Sequence, residues 1–149
     1  MRTGQILALI AVVLSTTVTQ AQVGKNELVA NPNTVTDKVL PALPVLNADI
    51  FDKIVAARPM ASTAQLGAAI GDALTDEQKT KLYTQMFVPI NLNSASREDI
   101  MLVPDMSKKM AHEFEEYRPY KSMQQFRQEI GKYVDDKEVA RLERYVFVD

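Results

Sequence analysis

Apolar positions recur along this chain at spacings of three and four, interrupted every few residues by serine, threonine, asparagine, proline or glycine. That rhythm predicts short amphipathic helices. Met106, Met110, Phe114 and Tyr117 fall on one face of a helix that Ser107 opens and Arg118-Pro119 ends, because a residue before proline is pushed out of the α region. Ahead of it, the apolar run from Ile100 to Val103 closes a shorter helix. Ser94 or Ser96 caps that helix, and Pro104 cannot continue it. Asp105-Met106-Ser107 is the tight turn between the two. Farther on, Ser122-x-x-Gln125 opens a helix that Gly131 ends, and Asp135 caps a last helix burying Val139, Leu142 and Val146. No stretch alternates apolar and polar residues for long enough to read as a sheet strand. The segments from Phe87 to Ile90 and from Val146 to Val148 read as short extended tails.

The same grammar occurs twice. From Asn31 the chain resolves into two copies at an offset of sixty, with no gap. Asn31-x-Asn33 matches Asn91-x-Asn93, Pro44 matches Pro104, and Arg58-Pro59 matches Arg118-Pro119. Ser62-x-x-Gln65 matches Ser122-x-x-Gln125, Ile70-Gly71 matches Ile130-Gly131, and Phe87-Val88 matches Phe147-Val148. In the first copy, helix one is expected to stop at Pro41. Asn47 caps helix two, with Leu46, Ile50, Ile54 and Ala57 on its apolar face. Ser62 to Gln65 and Thr75 to Gln78 are capping boxes opening helices three and four, and the last helix buries Leu82 and Met86.

The first residues read differently. Arg2 is followed by an unbroken apolar run from Ile6 to Leu14 and by small residues around Thr19 and Ala21. This is the layout of a signal peptide over residues 1–21, cleaved after Ala21 or Gln22. The run is well short of the ~20 residues that span a bilayer, so membrane contact is expected only through this segment before cleavage. Residues 22–30 show no period and read as a flexible leader; residues 31–89 and 90–149 are the two copies. Losing Arg2 shifts the net charge of the 149-residue chain from -2 to -3. With 46% hydrophobic residues, no Trp and no Cys, an exported domain would be held by packing of aliphatic side chains and Met alone. Net acidity argues mildly against a nucleic-acid protein, without excluding a local basic patch.

The order Asn91-x-Asn93-Ser94-x-Ser96-x-Glu98-Asp99-Ile100, then Leu102-x-Pro104, a turn, a helix and Tyr117-Arg118-Pro119-Tyr120, resembles the helix-hairpin-helix domain of the ComEA family, from about Pro89 to the C-terminus. That family is exported and binds DNA during bacterial competence. The resemblance implies an all-α fold of tandem helix-hairpin-helix units, two gapless copies of about sixty residues with about four short helices each. It also implies a periplasmic or secreted protein. One departure is specific: the family hairpin reads Gly-apolar-Gly, and this chain has Asp105-Met106-Ser107. The missing glycines would let the backbone approach a phosphate and take positive φ. The segment from Ala73 to Lys79 resembles the hairpin of the extrinsic lumenal subunit of photosystem II, a unit of the same helical type that binds protein.

Candidate chemistry concentrates at Ser107, Lys108 and Lys109. A helix start offers free N–H groups and a favourable dipole to an anion, and two lysines in a first turn are unfavourable unless an anionic partner is met. Copy one has Ala48 and Asp49 there and is not expected to bind phosphate. Asp135, Asp136 and Glu138 are acids at a helix start and have their role there, so no metal is expected. Arg58 and Arg118 meet helix C-termini favourably. His112 has no partner at ligand spacing and reads as a surface residue. Tyr117, Tyr120, Tyr133 and Tyr145 form either the rim of a small core or a stacking platform for single-stranded nucleic acid. No nucleophile elbow, His pair or phosphate-cradling glycine loop is present. The expectation is a non-enzymatic protein without cofactor or small-molecule substrate. It binds DNA weakly through phosphate contacts, or has kept the fold as a protein-interaction module and lost DNA binding.

Overall fold

The computed structural model describes residues 22–23 and 28–149. The expected signal peptide lies outside the described residues. Within the expected leader, Gln22–Val23 forms strand β1 and Val29 is buried, so these residues pack against the body instead of running free. The chain is predominantly helical. A 3-10 helix at Asp37–Ala42 is followed by α1 (Ala48–Ala56), α2 (Thr63–Ile70), a 3-10 turn at Gly71–Ala73 and α3 (Asp76–Tyr83). Strand β2 (Ile90–Asn91) leads into α4 (Arg97–Met101), α5 (Lys108–Glu116), α6 (Met123–Ile130) and α7 (Asp136–Leu142). A 3-10 turn at Glu143–Tyr145 then enters β3 (Val146–Val148).

The starts of α5, α6 and α7 each lie sixty residues after those of α1, α2 and α3, and the capping side chains obey the same offset. Asn47 Oδ1 accepts from Ile50 N at 2.9 Å, and Ser107 Oγ from Met110 N at 3.0 Å. Thr75 and Gln78 form a complete capping box before α3, and Asp135 accepts from Glu138 N before α7. Of the two serines proposed to cap α4, Ser96 does so, accepting from Asp99 N. Before α2 and α6 the expected box is shifted: Gln65 Oε1 accepts from Ala61 N and Gln125 Oε1 from Lys121 N, one residue ahead of the capping serine. Pro41 does not stop its helix, which continues to Ala42 as a 3-10 helix; a short 3-10 segment loses only one bond to the missing N–H. On α1 the buried residues are Ile50, Phe51 and Ile54, whereas Ala57, expected on the apolar face, is exposed.

Each half is tied across its length by one polar clamp. Asn33 Nδ2 donates to Met60 O at 2.8 Å while its Oδ1 accepts from Met60 N at 2.7 Å; Asn93 repeats this with Tyr120 at 2.9 and 2.6 Å. Arg58 donates to the carbonyls of Pro32 and Val35, and Arg118 to those of Leu92 and Ala95. The helix dipole therefore does not account for these arginines alone. Their guanidinium forks satisfy carbonyls of the loop that opens each half, groups that would otherwise be left short of donors.

The extended tails find partners, so a small sheet exists where none was expected. β3 pairs parallel with β2, Ile90 opposite Val146, and antiparallel with β1, Gln22 opposite Val148. An isolated parallel bridge joins Ala30 to Met86, sixty residues before the Ile90–Val146 pair. The strands are two or three residues long, too short for alternation to mark them; backbone groups brought together by the helices pair because unpaired ones are costly. A single hydrophobic cluster runs through both halves, including Leu66, Leu82, Met86 and Phe87 from the first and Ile100, Phe114, Phe126 and Leu142 from the second. The halves meet where the Phe87 ring packs edge-on against Tyr145 at 5.1 Å and Tyr145 Oη donates to Thr84 O.

Candidate functional site

The hairpin between α4 and α5 sets up the predicted site. Leu102 N bonds to Asp99 O and Val103 N to Ile100 O as α4 ends, and Met106 N returns to Val103 O at 3.1 Å. Asp105 closes the turn with φ of 59°, a left-handed conformation that aspartate tolerates better than most residues. Arg141 of α7 donates to Pro104 O at 2.6 Å and is held by both carboxylate oxygens of Glu138. The hairpin is thus fastened from behind. The Arg141 hydrogen bond holds the Glu138 carboxyl below the usual range.

Ser107, Lys108 and Lys109 are exposed at the start of α5. The first intrahelical bond runs from Ala111 N to Ser107 O at 2.9 Å, and Met110 N goes to the Ser107 hydroxyl. The N–H groups of Lys108 and Lys109 precede both, as the orphan donors of a helix start do. Arg97 reaches the carbonyl of Lys108 and pairs with Glu115, bracing α4 against α5.

Lys109 does not stand alone. Its ammonium lies 5.7 Å from the centre of the Tyr133 ring, and that of Lys132 lies 5.2 Å from the centre of the Tyr117 ring. The two tyrosine hydroxyls are 2.8 Å apart. Lys109, Glu113 and Tyr117 are successive i, i+4 positions on one stripe of α5, and Tyr133 closes over that stripe from the turn after α6. Glu113 is only 6% exposed, and its Oε2 has no hydrogen-bond partner. The Tyr133 phenol is pushed well above its usual range, first by the hydrogen bond with Tyr117 and further by the nearby Glu113 carboxylate.

The four tyrosines that looked alike in sequence therefore divide. Tyr120 and Tyr145 are buried and serve as core; burial pushes both hydroxyls up. Tyr117 is half-buried, and Tyr133 is 40% exposed. Glu113 and Lys132 were not singled out from sequence, yet the repeat marks them. Lys109, Glu113 and Lys132 correspond to Asp49, Lys53 and Asp72, three reversals of charge, while Tyr117 and Tyr133 correspond to Ala57 and Ala73.

Elsewhere, His112 is exposed and lies 3.4 Å from Glu116. Asp135, Lys137, Glu138, Arg141 and Arg144 line an open depression of about 390 Å³ carrying both signs of charge. Among the described residues no three His, Cys, Asp or Glu side chains converge as a metal site would need, and no helix is long and apolar enough to cross a membrane. Comparison with protein-family models, with curated proteins and with solved structures returns no match for this chain.

Proposed function

We propose that this chain is an exported, non-enzymatic tandem of two helix-hairpin-helix units whose second unit holds DNA phosphates weakly and without sequence preference, through Ser107, Lys108 and Lys109. The observation that carries this reading is the start of α5. The N–H groups of Lys108 and Lys109, both residues exposed, lie three and four residues after a left-handed turn residue in the place of the family's first hairpin glycine. Free donors and positive charge at one helix start are what a phosphate needs. Phosphate contacts carry no sequence information, so one duplex should serve as well as another. Asp105 sits beside the site as an exposed acid, which keeps the interaction weak.

Fluorescence anisotropy on a short duplex at low salt tests this. Replacing both Lys108 and Lys109 by Glu should abolish binding, and the parent's affinity should fall steeply as salt rises. Asp105→Gly, which removes a charge facing the phosphate, should strengthen it. Tight binding by the parent that the double Glu variant retains would overturn the reading.

A second reading is favoured by the Arg141 bond to the Pro104 carbonyl. A hairpin braced from behind and carrying an exposed Asp105 is also suited to a protein surface. On that reading the chain is a protein-interaction module that kept the fold, and neither the parent nor Asp105→Gly binds any duplex.

A further inference from the structure

The phosphate reading assigns Lys109 a charge and leaves Tyr117, Tyr133, Lys132 and Glu113 without a task. We infer that these residues form a stacking site for unpaired nucleobases, so that single-stranded nucleic acid is preferred over duplex. The polar tips are already committed, because the two hydroxyls bond each other. Tyr133 is one of the large hydrophobic side chains left exposed among the described residues, at 40%. Each ring also carries an ammonium within cation–π range. A base stacked here would find positive charge within reach of its own phosphates, the pairing of aromatic platform and cations that single-strand binders use.

Glu113 supplies an independent argument. Its Oε2 is buried without a donor, and such a group is costly to keep. It lies between Lys109 and Tyr117 on the same stripe of α5, beside the tyrosine pair. The first half has Lys53 there, on the exposed side of α1, and alanines at both tyrosine positions. The acid and the rings thus occur together in the second half and are both missing from the first. A duplex keeps its bases stacked on each other and presents only phosphates, so it can use Lys108 and Lys109 but not the rings.

The inference rests on the phosphate reading only for the charge of Lys109, and one experiment separates the two. Anisotropy at low salt is measured with a single-stranded oligonucleotide, an abasic oligonucleotide of equal length and a duplex of that sequence. The expected order is single strand tightest, with abasic and duplex weaker and similar. Tyr133→Leu should weaken single-strand binding by roughly 5- to 150-fold, the worth of one stacked base, and leave abasic binding unchanged. Tyr133→Phe, which keeps the ring, should retain the preference, and circular dichroism on both variants separates a lost contact from a lost fold. Equal affinity for abasic and base-bearing strands overturns the stacking site while leaving the phosphate reading standing. Binding of the single strand that survives Lys108 and Lys109 replacement but not Tyr133→Leu overturns the phosphate reading instead. No binding of any of the three overturns both.

Discussion

Asp105 holds a φ of 59° at a position where glycine would be unstrained. Aspartate is among the few residues that visit this region, and it does so at a cost. Asp105→Gly should therefore stabilise the fold by about 0.5–1 kcal/mol, the left-handed penalty less the extra freedom glycine adds to the unfolded chain. Urea denaturation measures this independently of any ligand. Leu142 lies at the opposite extreme. It is 1% exposed on the inner face of α7, and Leu142→Ala should cost about 2–5 kcal/mol. An unchanged melting temperature would show that α7 buries another face.

At the scale of elements, the halves use the same joints with different side chains. Asn93 makes two hydrogen bonds to the backbone of Tyr120, so Asn93→Ala leaves an N–H and a carbonyl without partners, at roughly 1–3 kcal/mol each if no water replaces the amide. Asn33→Ala should cost a similar amount, because its two bonds are the same. Elsewhere the joint is rebuilt. In the first half α2 carries Gly67 under Tyr83, where an added Cβ would stand 2.5 Å from the tyrosine hydroxyl. In the second half the corresponding positions hold Arg127 and Glu143, bonded at 2.6 Å with the glutamate buried. Gly67→Ala should gain little in the parent, since the helix propensity of about 1 kcal/mol is spent on the clash. In a Tyr83→Phe background the gain should appear in full, and a double-mutant cycle reads the difference.

For the whole molecule, acid stability follows from the brace behind the hairpin. The Arg141 hydrogen bond depresses the Glu138 carboxyl in the folded state. Its stabilisation is fully present above the unfolded glutamate pKa and is lost as pH falls through the lower, folded one. The Glu138 side chain is 36% exposed, so solvent screening keeps the effect small. Titration by NMR should place Glu138 below its ordinary range, and Arg141→Gln should return it upward and loosen the hairpin. The export reading has its own check: N-terminal sequencing of the extracytoplasmic fraction should find a start at Gln22 or Val23. A start at Met1 in that fraction would remove the cleaved signal peptide.

The periods and caps of the chain place α1 to α7, although Pro41 does not end the 3-10 helix before them, because helix ends are decided within a few residues by which side chain can take an orphan N–H. The offset of sixty is equally legible, since Asn93, Arg118 and Gln125 and their counterparts keep identical spacing. Three features depend on distant segments meeting. The pairing of Ile90 with Val146 and of Gln22 with Val148 brings together strands too short to announce themselves. The division of the tyrosines needs α6 to present Tyr133 to the stripe of α5 while Tyr145 turns inward to Phe87. The burial of Glu113 is likewise an outcome of packing, so its charge could be read along the chain but not its surroundings. Local structure is written in local hydrogen bonds; the candidate site arises where α5 meets the turn after α6, and only packing decides that meeting.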